Sequence, residues 1–429
     1  MTPLAREGLA WDDSGLNSSP IWTREPNPQD IAHVSRRTLH VKCEVSFFAE
    51  GAFNKLYLVQ TAQRDLLMRV SLPVHPHAKT RGEVTTLRFL RRRTEVPVPD
   101  VVAFDDSNDN EIGFEWILME RMPGVSAYKR WRTMTTFQKV ALVQSIAELQ
   151  AQIFRHEFSR IGTLMAGSDE SSHAETPSEM VSNMFFWSDH FDYNIARGPY
   201  RSAHDWLAAY LEFAVKDQVA EHENAQDEDD EKDAKFALGL SERLINLLPR
   251  IFPPIQYPPE RTVIWHDDLS LSNILVDEDG NITALIDWEC VSAMPRWVAT
   301  KLPRFLEGPN REREPKREEY ADESVGQSEA SGADEGDQLD NEGKNELYWI
   351  HLLEYETTQL RKVYRKRMRE LQPEWEAIRN ENVLKDDFFA AVTRTANGYH
   401  LKGISRWVNI IDTGEFPRLM NILGGLSRV

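Results

Sequence analysis

The segment from Trp265 to Glu289, WHDDLSLSNILVDEDGNITALIDWE, constrains the fold of this chain most, because it specifies a short hairpin. Two apolar, β-prone runs, ILV and ITALI, flank an Asp-Gly pair at 279–280, which is a strong signal for a tight turn between strands. Folding the hairpin about this turn brings Asn273 next to the end of the second run, where Asp287 follows. We therefore expect an amide and a carboxylate to meet at the open end of the hairpin.

The polar residues at and before the hairpin have the chemistry of a phosphoryl-transfer site. The side-chain oxygens of Asn273 and Asp287 are hard ligands, of the kind that Mg²⁺ uses when it also binds phosphate oxygens and water. Asp268 lies just upstream with His266, and a carboxylate there can orient or deprotonate an attacking hydroxyl. The segment therefore predicts a metal site beside a catalytic carboxylate.

The spacing of these residues resembles that of a known family. His266, Asp268 and Asn273, followed by a hairpin and a second aspartate, resemble the catalytic and metal-binding segments of the protein-kinase-like fold. The ending IDWE resembles the aminoglycoside phosphotransferase and choline kinase family, whose usual run is His-Gly-Asp-Leu-x-x-x-Asn. Asp267 stands here where the family has glycine, and the register from His266 and Asn273 identifies Asp268 as the base. The resemblance implies that His266 supports the loop and does not take the substrate proton.

The resemblance also implies a fold and a reaction. The fold is a two-lobed α+β fold, in which a small β-rich N-lobe precedes a larger, mainly helical C-lobe. The expected reaction transfers the γ-phosphoryl group of ATP, with Mg²⁺, to a hydroxyl of a small molecule. Two aromatic stretches, at 184–193 and 196–207, resemble fungal members of the family. They either line a substrate pocket or anchor an insertion by packing, and the sequence leaves both interpretations open.

The N-terminal part of the chain has the pattern of a nucleotide-binding lobe. Residues 43–74 contain three β-prone runs, and residues 77–93 have the apolar spacing of a helix. Arg69 stands where the resemblance places the phosphate-binding lysine, and Glu83 on the following helix is the expected ion-pair partner. An arginine stays positively charged and can hold two phosphate oxygens, although its reach differs from that of lysine.

Two further stretches of this lobe are candidate nucleotide contacts. The turn EGAFN lies where the family has its phosphate-covering loop, so Gly51 and Asn54 are candidate binding residues. The stretch ILMERMPG resembles the hinge, in which Met119 is the gate residue and the main chain of Glu120 and Met122 hydrogen-bonds adenine.

These features divide the chain into an N-terminal extension, an N-lobe and a C-lobe. The expected bounds are 1–35, 36–122 and 123–429. Amphipathic patterns predict long helices in the C-lobe at 135–158, 202–222 and 346–372.

The net charge of −19 is concentrated in two segments. Residues 221–235 and 321–346 carry net charges of −6 and −8, so the rest of the chain is only mildly acidic. Residues 308–345 combine Gly, Ser and acids with almost no aliphatic side chains, which predicts a disordered acidic insertion that a protein partner can bind. Nucleic acid is a poor partner for a chain with this net negative charge, because phosphate binding needs clustered Lys and Arg.

Composition also bears on the compartment. No apolar run approaches the ~18 residues of a transmembrane helix, so no membrane partner is expected. The first residues lack the apolar core of a secretory signal, and Cys43 and Cys290 give no disulfide framework. We expect a cytoplasmic protein, with mitochondria as the alternative.

Two other functions stay open at this stage. A protein kinase is disfavoured because Ser270 stands where Ser/Thr protein kinases have a lysine, and because no activation segment follows IDWE. A catalytically silent pseudokinase, acting as a binding or regulatory module, is favoured by Arg69 and Asp267. The intact catalytic and metal-binding residues argue against it.

Overall fold

The structure is a computed structural model that describes residues 6–15, 18–167, 175–255, 257, 259–322 and 341–424. The strands in these residues are β1 Leu9–Asp12, β2 Ser19–Trp22, β3 Cys43–Glu50, β4 Asn54–Thr61, β5 Asp65–Ser71, β6 Val101–Asp105, β7 Glu115–Glu120, β8 Val125–Ser126, β9 Leu164–Ala166, β10 Glu175–Pro177, β11 Thr262–Trp265, β12 Ile274–Val276, β13 Ile282–Leu285 and β14 Ser292–Pro295. The helices are α1 Pro28–Leu39, α2 Ala78–Arg93, α3 Ala127–Arg130, α4 Thr136–Phe154, α5 Asn183–Phe186, α6 Ala203–Glu223, α7 Glu228–Ile251, α8 Glu346–Leu371, α9 Trp375–Glu381, α10 Val383–Ala396, α11 Leu401–Asp412 and α12 Leu419–Gly424.

A five-stranded antiparallel sheet dominates the N-terminal region, in the order β3-β4-β5-β7-β6. Successive side chains of a strand point to opposite faces, so each strand divides its residues between two surroundings. Leu66, Met68 and Val70 of β5 are buried in an apolar core on one face. Arg69 lies between them in the sequence, and its side chain contacts Glu83 of α2. This alternation places Arg69 on the face that looks towards α2 and the helical region.

The N-terminal residues are part of this lobe. Ile31 and Val34 of α1 pack into the apolar core of the sheet, so the expected boundary between residues 35 and 36 falls inside a helix. Trp22 of β2 packs edge-on against Phe114, with 5.0 Å between ring centroids.

The C-terminal region is mainly helical. The helices expected at 135–158, 202–222 and 346–372 are present as α4, α6 and α8. Ser202 caps α6 as expected, because its side chain accepts from the N–H of Asp205 at 3.2 Å. Helix α4 packs on α8, and α6 packs on α7 and α10. A β-rich region therefore precedes a helical one, which confirms the predicted two-lobed α+β fold. None of the described helices is long and apolar enough to span a bilayer.

The acidic segment 221–235 is helical except at residues 224–227. It ends α6 and begins α7, where Asp227 is the N-cap and accepts from the N–H groups of Asp229 and Asp230, both at 2.9 Å. Four acids occupy the first turn of α7, where the helix dipole favours negative charge. Much of this charge therefore belongs to a helix terminus and not to an unstructured insertion.

The expectation of disorder across 308–345 is wrong for the residues at both ends. Residues 308–322 and 341–345 make ordered contacts, whereas 323–340 lie outside the described residues. The segment has few aliphatic side chains, and composition alone does not show that polar contacts hold its ends.

Helix α8 provides these polar contacts. The guanidinium of Arg361 is buried and donates to the carbonyl oxygens of Leu306 and Pro309, at 2.5 and 3.1 Å. The Tyr320 hydroxyl lies 2.7 Å from Nδ1 of His351. The described residues between 306 and 322 are thus linked to helix α8 by hydrogen bonds.

Candidate active site

The predicted hairpin is present as β12 and β13 and forms the floor of the candidate site. Gly280 has a φ of +84°, the left-handed conformation that a glycine adopts readily in a tight turn. At the open end, the N–H of Ile286 donates to the carbonyl oxygen of Asn273 at 3.0 Å. The expected pairing is therefore confirmed, and it brings the backbone of Asn273 close to that of Asp287. Asp287 itself has a φ of +65°, unusual for a residue with a side chain.

His266 supports this end of the hairpin. Its side chain is buried, and Nε2 lies 3.1 Å from the carbonyl oxygen of Ile286, the residue before the metal-ligand candidate. The ring also packs edge-on against Trp288, with 4.7 Å between centroids. These contacts fit the supporting role that the resemblance implies for His266.

Asp268 lies at the surface of the same loop. Its main-chain oxygen accepts from Nδ2 of Asn273 at 2.8 Å, and its carboxylate Oδ2 is 3.4 Å from the same nitrogen. The other oxygen, Oδ1, accepts from Nη1 of Arg304 at 2.8 Å. The Asp268 side chain is 46% exposed, so an acceptor can approach it from solvent. Sequence reasoning missed Arg304, which is 36 positions away and belongs to no motif.

Arg69 bridges the sheet and the hairpin. Its Nη1 donates to Glu83 at 2.8 Å, which is the ion pair expected from the sequence. Its Nη2 lies 3.1 Å from Oδ1 of Asp287 and 2.7 Å from Oε2 of Glu289. The structure therefore brings Arg69, Glu83 and Asp287 together, and one guanidinium joins elements of both lobes.

Two further charged residues, Lys79 and Glu289, complete this cluster, and sequence reasoning missed both. Lys79 of α2 places Nζ 2.5 Å from Oε2 of Glu289 and 3.0 Å from Oδ1 of Asn54. Asn54 also donates to Glu289 at 2.9 Å and accepts from Ser71 at 2.8 Å. Lys79 precedes Glu83 by four residues, a spacing that places both on one helix face and is visible in the sequence.

The buried charges shift the titration of the two glutamates in opposite directions. Burial raises the pKa of Glu83 to about 7, although Arg69 opposes the rise. Burial would also raise the pKa of Glu289, but Arg69 and Lys79 outweigh burial and lower it to about 2. Glu289 is therefore the firmly ionised partner of the two cations.

The candidate phosphate-covering loop is a tight turn held against aromatic residues. The N–H of Gly51 donates to the carbonyl oxygen of Asn54 at 2.8 Å, which closes the turn between β3 and β4. Phe53 at its tip is buried against Phe186 and Trp187, with 5.4 and 5.9 Å between ring centroids. The aromatic stretch 184–193 thus packs beneath this loop, which supports the packing interpretation for these residues.

Two hinge candidates, Met119 and Glu120, lie on β7, which pairs with β5 in the sheet. Met119 is a buried residue of β7 and pairs with Leu67 of β5. The N–H of Glu120 donates to the carbonyl oxygen of Asp100 at 2.9 Å, so this donor is engaged within the lobe. Met122 lies in the connection after β7.

The chemistry of the cluster fits a divalent cation. Asp287 offers a carboxylate, and Asn273 donates through its amide nitrogen, which leaves the amide oxygen as a ligand. In the same cluster, the carboxyl groups of Glu83, Asp287 and Glu289 outnumber the two cations that they contact, Arg69 and Lys79. Among the described residues, no group of three or more His, Cys, Asp or Glu side chains could hold a metal. Two protein ligands nevertheless suffice for Mg²⁺ when nucleotide phosphates and water supply the others.

The chain is similar to several known proteins. The chain is 28% identical over 308 residues to a subtelomeric hrmA-associated cluster protein of Aspergillus fumigatus, which covers 61% of this chain and 60% of that protein. It is 24% identical over 234 residues to clavilactone A biosynthesis cluster protein Y of Ampulloclitocybe clavipes, over 53% of this chain and 54% of that protein. The chain thus matches less than two thirds of the length of these fungal relatives.

A solved structure and a family model also match. The structure of a thermostable mutant of aminoglycoside phosphotransferase APH(4)-Ia is 14% identical and aligns with 93% of this chain and 100% of its own, with a TM-score of 0.44. The model of the phosphotransferase enzyme family matches residues 44–298, which include nearly all of the five-stranded sheet, the candidate phosphate-covering loop and the hairpin. Because this match covers more than half of the sequence, the chain belongs to the phosphotransferase enzyme family.

Proposed function

We propose that this protein transfers the γ-phosphoryl group of ATP, in the presence of Mg²⁺, to a hydroxyl of a small molecule. The observation that carries the proposal is the convergence of Asp268, Asn273 and Asp287 on one end of the hairpin, opposite Arg69 of the sheet. Phosphoryl transfer needs positioning and charge neutralisation more than covalent chemistry, and these residues supply both.

Asp268 is the residue that meets the acceptor. Its exposed carboxylate can accept a hydrogen bond from the hydroxyl, orient the oxygen towards the γ-phosphorus and take the proton as the bond forms. Asn273 fixes the main chain of Asp268 through its amide nitrogen. The base is thereby held relative to the metal-binding end of the hairpin.

Asp287 and Asn273 would hold Mg²⁺, which neutralises phosphate charge when bound. Arg69 contributes further positive charge from the sheet and keeps Asp287 in place at 3.1 Å. Glu83 orients Arg69 from α2. The nucleotide site is therefore assembled by groups from both lobes, and ATP would bind between them.

The short connection after the hairpin favours a small acceptor. Only residues 290–291 separate Glu289 from β14, and β14 pairs at once with β11. A protein kinase uses a longer segment here to hold a peptide substrate. The acceptor region is instead bordered by the turn Arg304–Leu306, which hydrogen-bonds to the loop of the base.

The proposal is tested by ATP consumption with Mg²⁺ over alcohols, amino alcohols, sugars and aminoglycosides. We expect at least one class to accelerate ATP consumption above hydrolysis, and phosphorus NMR to detect the phosphomonoester. Chelation of Mg²⁺ should abolish the signal. Failure to consume ATP with every class, in protein that is folded and binds nucleotide, would contradict the proposal.

That outcome would favour a second function, a nucleotide-binding protein without turnover. One observation supports it: Nη1 of Arg304 occupies Oδ1 of Asp268 at 2.8 Å, where an acceptor hydroxyl would bind. In such a protein, Mg·ATP binding would be retained without transfer to an acceptor. Nucleotide affinity and turnover, measured on the same preparation, distinguish the two functions.

A further inference from the structure

Three hydrogen-bond donors converge on one carboxylate oxygen beside the phosphate-covering loop. Oε2 of Glu289 accepts from Nη2 of Arg69 at 2.7 Å and from Nζ of Lys79 at 2.5 Å. The third donor is Nδ2 of Asn54, at 2.9 Å. Donors arranged in this way, two of them fully charged, bind an anionic oxygen strongly, whether it belongs to a carboxylate or to a phosphate.

The two cations of this group differ in their other contacts. Both terminal nitrogens of Arg69 are engaged, because they also bind Glu83 and Asp287. Lys79 contacts Glu289 and Asn54 in the part of the chain that the structure describes. An ammonium has three N–H donors, so Lys79 can bind one more oxygen without losing either contact.

The burial of Lys79 is costly unless anions compensate it. Its side chain is 2% exposed, in the first turn of α2. A lysine removed from water remains charged only where anionic or polar oxygens face it. Here one of these oxygens is Oδ1 of Asn54, a residue whose main-chain oxygen closes the candidate phosphate-covering turn by accepting from the N–H of Gly51.

We infer that Lys79 is a phosphate-binding residue of the nucleotide site. It takes the part that the family gives to a lysine on the strand that carries Arg69 in this chain. In the nucleotide-free protein, Glu289 holds the three donors together, and a phosphate oxygen of ATP binds the remaining N–H of Lys79. The inference rests on the proposed function, because it requires ATP to bind between the loop and the hairpin.

The test compares the affinities of Mg·ATP, Mg·ADP and AMP for the wild type and for Lys79→Met. Removing one charge-assisted phosphate contact should weaken ATP binding roughly 10- to 150-fold. AMP, which lacks the β- and γ-phosphates, should bind almost unchanged. Lys79→Arg should recover part of the ATP affinity, because it restores the charge.

Lys55 provides a matched control. It is also a buried lysine of this lobe, but it follows Asn54 in β4, and its Nζ binds Glu25 and Glu50 at 2.5 and 3.4 Å. Adjacent residues of a strand face opposite sides, so Lys55→Met should not alter the ratio of ATP to AMP affinity. If Lys79→Met fails to fold, Lys79→Met/Glu289→Gln removes both charges of the pair and carries the test.

Two outcomes would overturn the inference. One is a folded Lys79 variant with wild-type ATP affinity, and the other is an equal loss of ATP and AMP binding, which indicates a structural role only. A separate measurement, the turnover of the wild type, tests the proposed function. A wild type that binds ATP without consuming it refutes the proposed transfer but leaves the test of Lys79 intact.

Discussion

Replacing Asp268 by asparagine should lower turnover by orders of magnitude while leaving the fold and the nucleotide site intact. The substitution keeps the size of the side chain but removes the charge and the proton-accepting capacity. The main-chain oxygen of Asp268 still accepts from Asn273, so the loop keeps the hydrogen bond that links it to the hairpin. The variant therefore isolates the chemistry of the carboxylate.

The structure sets the expected magnitudes. General-base catalysis contributes roughly 10²- to 10⁴-fold, and kcat should fall by that factor. The ion pair with Arg304 joins side chains that are 46% and 63% exposed, and exposed pairs contribute about 0–1 kcal/mol to the free energy of unfolding. Stability should therefore change by less than about 1 kcal/mol.

The assay combines kcat, the dissociation constant of Mg·ATP and denaturant unfolding for each variant. Asp267→Asn is the matched control, because it changes the adjacent acid, which the register from His266 and Asn273 excludes as the base. We expect turnover near the wild-type value for the control. An active Asp268→Asn beside an inactive Asp267→Asn would show that the wrong acid has been chosen, and lost ATP binding in a folded Asp268→Asn would refute its assignment to the acceptor.

Three other results should follow from the contacts. Asp287→Ala should weaken Mg·ATP binding about tenfold more than Asn273→Ala in a Mg²⁺ titration, because a carboxylate supplies a full charge and an amide only a dipole; equal Mg²⁺ dependence in both would contradict the site. Arg361→Met should lower the free energy of unfolding by about 3 kcal/mol, because buried carbonyl oxygens lose a charged donor; an unchanged denaturation midpoint would show that the segment after residue 306 is not held by α8. The ring nitrogens of His190 lie 2.7 Å from the carbonyl oxygen of Met184 and 2.9 Å from a carboxylate oxygen of Asp217. Burial is the largest effect and lowers the pKa of His190, but the hydrogen bond and charge of Asp217, together with the hydrogen bond to Met184, outweigh burial and raise the pKa above 6.5. The stabilisation by protonated His190 is complete below about pH 6.5 and is lost as pH rises through the raised pKa. As pH rises, the melting temperature of the wild type should therefore fall relative to that of His190→Gln. Parallel plots of melting temperature against pH would refute the pairing.

The parts of the fold that were predictable from sequence are those that depend on local pattern. The strands in 43–74, the helix at 77–93 and the hairpin about 279–280 each follow from periodicity or turn chemistry within a few residues. The ion pair of Arg69 and Glu83 required the family resemblance as well, because 14 positions separate the two residues and no local rule joins them.

The contacts that sequence reasoning missed are long-range and polar. Glu289 meets Asn54 across 235 positions, and Asp268 meets Arg304 across 36. A hydrophobic pattern shows which face of an element is buried, but it does not indicate which charged side chain will meet another in the folded chain. The ordered residues after 306 were missed for the same reason, since Arg361 of α8 holds them through backbone carbonyls that any sequence possesses.

The contacts of Arg69 explain why an arginine, and not a lysine, stands at this position. Its two terminal nitrogens reach separate partners, with Nη1 on Glu83 of α2 and Nη2 between two acids of the hairpin segment. A lysine has a single charged nitrogen and cannot span these partners at hydrogen-bond distance, whereas the planar guanidinium presents donors in several directions. Carboxylates hold both terminal nitrogens of this bridging arginine, and a second cation beside it can bind phosphate. Lys79, one helical turn before Glu83, is placed to be that cation, so the change at position 69 and the buried lysine on α2 are parts of one arrangement.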